Sequence, residues 1–219
     1  MLASPSNPTG TSIEPGELQG IHAIVQAHDG ITLIDEIYLG LSHDPRYAQT
    51  ALAYDDQLIS INSFSKYFNM TGWRLGWMVI PEAYVRDVEK LAQNLVLCPS
   101  TPAQHGALAA FAPDTIAILE ARRAEFRRRR DFLAPALEAI GFRATARPEG
   151  AFYLYCDCSD LADDSFTLAR DLLEKAGVAA APGLDFGSNA PEKHIRFAYT
   201  TGVPRLAEAV ERLRRYFGR

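Results

Sequence analysis

The residues of this chain that could do chemistry gather around one lysine. Lys66 follows an apolar run with strand character (Leu58, Ile59, Ile61) and sits in a Ser/Asn-rich turn beside Ser63 and Ser65. Arg74 comes eight residues later, inside the Gly/Trp segment GWRLGW. An amine at the end of a buried strand, flanked by hydroxyls and followed by a fixed cation, suits covalent capture of a carbonyl on a phosphorylated cofactor. An unperturbed lysine, with a pKa of about 10.4, is almost wholly protonated at neutral pH, so that role requires surroundings that suppress its charge. A surface lysine after a strand is the plain alternative. Two more charges interrupt apolar runs. Asp35 lies in ITLIDEIY, where a carboxylate is costly without a cationic partner. Its neighbour Glu36 should point to the opposite face of a strand. Arg196 lies in IRFAY and needs an anionic partner, which a structural salt bridge would supply as well as a ligand would.

The elements that must position these residues alternate between strand and helix. Residues 31–38 form a continuous apolar run, the pattern of a parallel strand buried on both faces. Further strands are predicted over 58–62 and 75–80, and MLAS at the start reads as the end of another. A helical pattern opens at Glu14-Pro15-Gly16-Glu17 and runs through Leu18, Ile21, Ile24 and Val25. Helices are predicted over 81–97, 102–111 and 114–140, the last with Pro135 as a potential kink. The remainder reads as strand, turn and strand over 142–158, a helix over 166–176, short strands over 178–181 and 194–198, and an amphipathic closing helix over 203–217. A boundary near 112–114 divides a partial α/β domain, residues 1–113, from a smaller α+β domain, residues 114–219.

Composition narrows the function classes. The chain has 219 residues, 47% of them hydrophobic and 22% charged, enough for a substantial core. A formal charge of -5 gives no reason to expect a nucleic-acid partner. The basic run Arg127–Arg130, preceded by Arg122 and Arg123, is interleaved with Glu120 and Glu125 and reads as a solvated helix face. The three cysteines, Cys98, Cys156 and Cys158, form no CxxC pair, and the five histidines show no ligand spacing. No metal is assigned, Cys156 and Cys158 read as buried free thiols, and a reducing cytoplasm fits. No signal peptide or membrane span is read in the sequence. The aromatics Trp73, Trp77, Phe64, Tyr67 and Phe68 read as core, and Gly72, Gly76, Gly150 and Gly183 as backbone devices.

SPSNPTG (4–10), DEIY (35–38), SFSK (63–66), GWR (72–74), GAFY (150–153) and IRFAY (195–199) follow one another in the order and at the intervals of the class I/II aminotransferases. The chain resembles that family, the fold type I enzymes dependent on pyridoxal 5′-phosphate, over essentially its whole length. The resemblance implies an aspartate aminotransferase-like large domain, here partial, with a mainly parallel sheet, followed by the smaller C-terminal domain. It implies that Lys66 forms a Schiff base with the cofactor aldehyde and then moves a proton between the substrate Cα and the cofactor's C4′. Asp35 pairs with the pyridine nitrogen, and Tyr38 and Asn7 hold the phenolic oxygen. Arg74, Ser63 and Ser65 bind the phosphate, while Arg196 clamps the substrate α-carboxylate and Asn7 also faces the substrate. Asn7 serves equally as a turn former before Pro8.

The pattern departs from the family at the front. Members carry a Gly/Ser/Thr phosphate loop, a ring-stacking aromatic and the first strands of the large sheet upstream of NPTG, and six residues cannot hold them. The chain therefore reads as a C-terminal portion, with weakened cofactor affinity and turnover and a tendency to self-associate through exposed apolar edges or as a homodimer. The expected reaction is amino-group transfer between an α-amino acid, broad or neutral-to-acidic, and a 2-oxo acid such as 2-oxoglutarate. The alternatives are a β-eliminating C–S lyase of the same fold and a non-catalytic module. That module would be either a degenerate fragment or an effector-sensing domain, although no helix-turn-helix or basic region accompanies it.

Overall fold

The computed structural model describes residues 1–219. The chain divides into two compact units, Met1–Pro5 with Ser12–Arg123, and Ser6–Thr11 with Ala124–Arg219.

In the first unit, short β-branched and apolar runs assemble a four-stranded sheet of order β1-β2-β3-β4: β1 (Leu2–Ala3), β2 (Leu33–Asp35), β3 (Ile59–Ser63) and β4 (Gly76–Val79). β1 pairs with β2 and β2 with β3 in parallel, whereas β4 joins β3 antiparallel, so the sheet is mixed. Asp35 stands opposite Ala3 on one side and Ile61 on the other. Helix α1 (Pro15–Ala27) begins with proline in its first turn, where the missing N–H costs nothing, and buries Leu18 with Ile34, Ala51 and Leu58. Helices α2 (Glu82–Leu95) and α3 (Thr101–Ala110) follow.

The strand predicted over 31–38 shortens to β2 because its polar end closes a turn. Asp35 Oδ1 accepts the Ile37 N–H at 3.0 Å, and the Leu39 N–H donates to the Glu36 carbonyl at 2.8 Å. Glu36 is buried at 3% exposure and accepts from Thr50 Oγ1 (2.7 Å), the Ala51 N–H (2.6 Å) and Ser60 Oγ (2.6 Å). Its charge is satisfied by three donors without a cation. The aromatics expected in the core divide. Phe64 is buried, while Trp77 is exposed because β4 is an edge strand with every residue accessible, and Trp73, in the turn before β4, is exposed as well.

The second unit carries an antiparallel sheet of order β5-β6-β8-β7, formed by β5 (Arg143–Ala144), β6 (Tyr153–Asp157), β7 (Ala181–Pro182) and β8 (His194–Ala198). The strand expected over 178–181 is thus confined to its last residue and Pro182. Helix α4 (Pro113–Glu138) contributes residues to both units and carries Pro135 inside it. α5 (Ser165–Asp171) is capped by Asp164, whose carboxylate accepts the Thr167 N–H at 2.7 Å. It runs on as a π turn over Leu172–Ala176, and α6 (Val203–Phe217) closes the chain. The core joins Leu137 and Ile140 to Phe142, Leu154, Ile195 and Leu213. The basic run of α4 is only partly a solvated face. Arg129 meets Glu125 at 3.0 Å in the expected i,i+4 pair, but Arg130 is buried, donating to the Pro148 carbonyl at 3.0 Å and to Asp131. No helix is long and apolar enough to cross a membrane.

Candidate functional site

The parallel pairing of β2 and β3 puts their carboxyl ends at one edge of the first sheet, the edge at which open α/β sheets bind ligands. Asp35 is the last residue of β2 and is half-buried, while Ser63 is the last of β3 and opens the turn that carries Lys66. Tyr38, 5% exposed, follows Asp35 in the turn after β2, and Lys66 Nζ lies 5.7 Å from the centre of its ring. Ser63 Oγ donates to the Leu75 carbonyl at 3.2 Å and accepts the Ser65 N–H at 3.0 Å, so this hydroxyl knits the turn. Thr71 ties the turn to the cation beyond it: its Oγ1 donates to the Ser65 carbonyl at 2.6 Å, and Arg74 Nη1 donates to the Thr71 carbonyl at 3.0 Å. Arg74 is exposed and holds a left-handed backbone, φ 53°, which costs a non-glycine residue about 1–2 kcal/mol. The guanidinium and the Ser65 hydroxyl can bind an anion, the Lys66 amine can capture a carbonyl, and the Asp35 carboxylate can hold a cationic ring nitrogen.

The second unit holds Arg196 and Asn7. Arg196 lies on β8 opposite Tyr155 and Ala181, with its guanidinium carbon 4.1 Å from the centre of the Tyr153 ring and 4.5 Å from that of Phe186. Its Nη1 donates to Asn7 Oδ1 at 2.7 Å, and its Nε is buried without a hydrogen-bond partner. An orphaned guanidinium N–H between two aromatic faces matches the two-pronged geometry of a carboxylate. The Asn7 turn is fixed by Gly10, at φ +70°, where an added Cβ would come 2.5 Å from Pro148 Cβ and 2.9 Å from the Gly150 carbonyl oxygen. The Gly10 carbonyl in turn accepts the Glu149 and Gly150 N–H groups at 2.8 and 3.0 Å.

Within the units, the structure thus brings Lys66 to Tyr38, Ser63 to Ser65, Arg74 to both serines' turn through Thr71, and Asn7 to Arg196. Asp35 stands at the carboxyl end of its strand, bonded to backbone. Thr71, Tyr153 and Phe186 were not singled out by sequence. Their signals are faint: a hydroxyl just before Gly72-Trp73-Arg74, an aromatic in the strand beside IRFAY, and a Phe between glycines in PGLDFG.

The family described as aminotransferase class I and II matches residues 1–213. The valine–pyruvate aminotransferase of Mycobacterium tuberculosis is 38% identical over 97% of this chain and 55% of its own length. The aspartate/prephenate aminotransferase of Thermus thermophilus is 35% identical over 100% of this chain and 56% of its own length. Among solved structures, an aminotransferase from Mycobacterium tuberculosis superposes with a TM-score of 0.94 at 37% identity, over 99% of this chain and 57% of that one. An aromatic aminotransferase from Pyrococcus horikoshii gives 0.92 at 32% identity, over 99% and 58%. The chain spans a little over half the length of these relatives.

Proposed function

The chain belongs to the class I and II aminotransferase family, and on that footing we propose that it binds pyridoxal 5′-phosphate through Lys66 and serves amino-group transfer between an α-amino acid and a 2-oxo acid. The observation that carries this reading is the common carboxyl edge of β2 and β3, which presents Asp35, Tyr38 and the Ser63–Lys66 turn together. When bound, the cofactor supplies an electron sink for charge developing at the substrate Cα. The Asp35 carboxylate would hold the pyridine nitrogen in its cationic form, and Tyr38 and Asn7 would donate to the phenolic oxygen. Ser65, Arg74 and Ser63 would hold the phosphate, for which a guanidinium is better suited than an ammonium. Lys66 Nζ would hold the cofactor through its aldehyde and would carry the proton at the substrate Cα. The orphaned Nε and the neighbouring Nη of Arg196 hold the α-carboxylate.

The Ser63 hydroxyl already donates to Leu75, and Arg74 is exposed, so phosphate affinity and turnover of the 219-residue chain are expected to be low. The names of the relatives above span apolar and acidic amino acids, which supports a broad or neutral-to-acidic amino acid substrate; 2-oxoglutarate is proposed as the acceptor. Self-association of copies and a cytoplasmic setting complete the proposal. The test is incubation with pyridoxal 5′-phosphate, borohydride reduction and peptide mass spectrometry. We expect one reduced adduct, on Lys66. Labelling spread over Lys90, Lys175 and Lys193, or none at all, overturns the reading.

A further inference from the structure

Tyr67, the residue after the proposed nucleophile, is tied down at both ends. Its ring lies against the backbone of Gly40, so closely that a Cβ on that glycine would come 2.5 Å from Tyr67 Cγ and 2.8 Å from Cδ2. Its hydroxyl donates to Glu120 Oε1 on α4 at 2.6 Å. Glu120 is itself held by Arg123, one helical turn on, and Arg123 Nη1 donates to the Ser42 carbonyl at 3.3 Å. Ser42 ends the short turn that begins at Tyr38, where the Leu41 N–H donates to the Tyr38 carbonyl at 2.8 Å and the Ser42 N–H to the Leu39 carbonyl at 3.0 Å. The contacts close a ring: Tyr67, Glu120, Arg123, Ser42, the 38–42 turn, Gly40, and Tyr67 again. Lys66 and Tyr38 sit side by side at the point where that ring joins the two turns.

We propose that Tyr67, Glu120 and Arg123 are positioning residues that hold the Lys66 turn in register with the Tyr38 turn, and so fix the Lys66 amine over the Tyr38 ring. The inference rests on the reading of Lys66 as the cofactor-capturing amine. Glu120 and Arg123 act only through Tyr67 and Ser42. The Tyr67 phenol is pushed up to about 12 by burial first and by its bond to Glu120 second, so it stays a donor across the working pH range. A helix is a stiffer anchor than a loop, which makes α4 the fixed side of the ring and the Lys66 turn the adjusted one.

Two readouts test this. The first needs no cofactor: trace acylation of the full apo chain over a series of pH values, with each lysine followed by peptide mass spectrometry. In Tyr67→Phe and Glu120→Gln the freed turn should expose half-buried Lys66, raising its acylation about fivefold, the change in a local opening equilibrium that one net hydrogen bond governs. Lys175 and Lys193 should not respond. Glu125→Gln breaks the pairs with Arg128 and Arg129 on the same helix and should leave Lys66 unchanged, which separates positioning from general loss of stability. The second readout is the rate of borohydride-trapped adduct on Lys66, expected to fall in the first two variants and to hold in Glu125→Gln. Lys66 acylation equal to that of the parent chain in Tyr67→Phe and Glu120→Gln, or a rise shared by all lysines, overturns the brace. A parent chain without any Lys66 adduct overturns the cofactor reading, and the acylation profile still decides the brace on its own.

Discussion

Glu36 and Asp35 are neighbours with different fates, and the difference is set by groups distant in sequence. Glu36 is enclosed by donors from Thr50, Ala51 and Ser60, while Asp35 ends its strand with one backbone contact. Glu36→Ala would leave those donors buried without an acceptor. It should cost about 2–4 kcal/mol, read as a fall in the urea midpoint at unchanged slope, and Glu36→Gln should recover part of it. The sequence marked Asp35 as a charge in an apolar run but had no local sign of Glu36's role, because its partners lie in a turn and a strand that only folding brings near. The thiols were more legible. Cys156 and Cys158 are buried, and burial first, then neighbouring charge, pushes them up to about 12 and about 11, whereas Cys98 is exposed. An alkylating reagent should therefore modify Cys98 alone in the folded chain. Because the folded values lie above the unfolded value of about 8.5, the stability these thiols contribute is complete below that pH and is lost as pH rises toward 11–12. Urea midpoints from pH 8 upward should fall more steeply in the parent than in the Cys156→Ala, Cys158→Ala double variant.

At the scale of elements, periodicity located what is amphipathic and misjudged what ends in a turn. The closing helix and β8 appear at the expected residues because their apolar faces repeat cleanly against one core. β2 ends before its apolar run does because the Ile37 N–H turns to the Asp35 carboxylate and the Leu39 N–H to the Glu36 carbonyl, a choice invisible to hydrophobicity. β4 is the other instructive element. The strand expected over 75–80 forms as β4, its Trp77, Met78 and Val79 are all exposed, and β4 ends the sheet order with its outer edge unpaired. An edge that is both apolar and open invites pairing with another chain. We expect the apparent mass in sedimentation to rise with concentration, and Met78→Lys, which places a charge on that edge, to hold the chain at its monomer mass. A mass independent of concentration in the parent chain would remove the argument.

At the scale of the whole molecule, the family and its α/β fold were readable because each motif combines a chemical group with the turn that presents it. The ring through Tyr67 and Glu120 was not, since a tyrosine after a lysine and a glutamate in a basic run each look ordinary alone. The least readable feature is the allegiance of Ser6–Thr11, which lies near the start of the chain but belongs with Ala124–Arg219. Anyone wishing to dissect this protein must therefore cut the gene twice. A clone of 124–219 alone would leave the Glu149 and Gly150 amides without the Gly10 carbonyl and Arg196 without Asn7. A faithful excision would graft the six-residue loop back, as a tether or a separate peptide, and the difference between the two clones would measure how much of that half is written in a distant stretch of the chain.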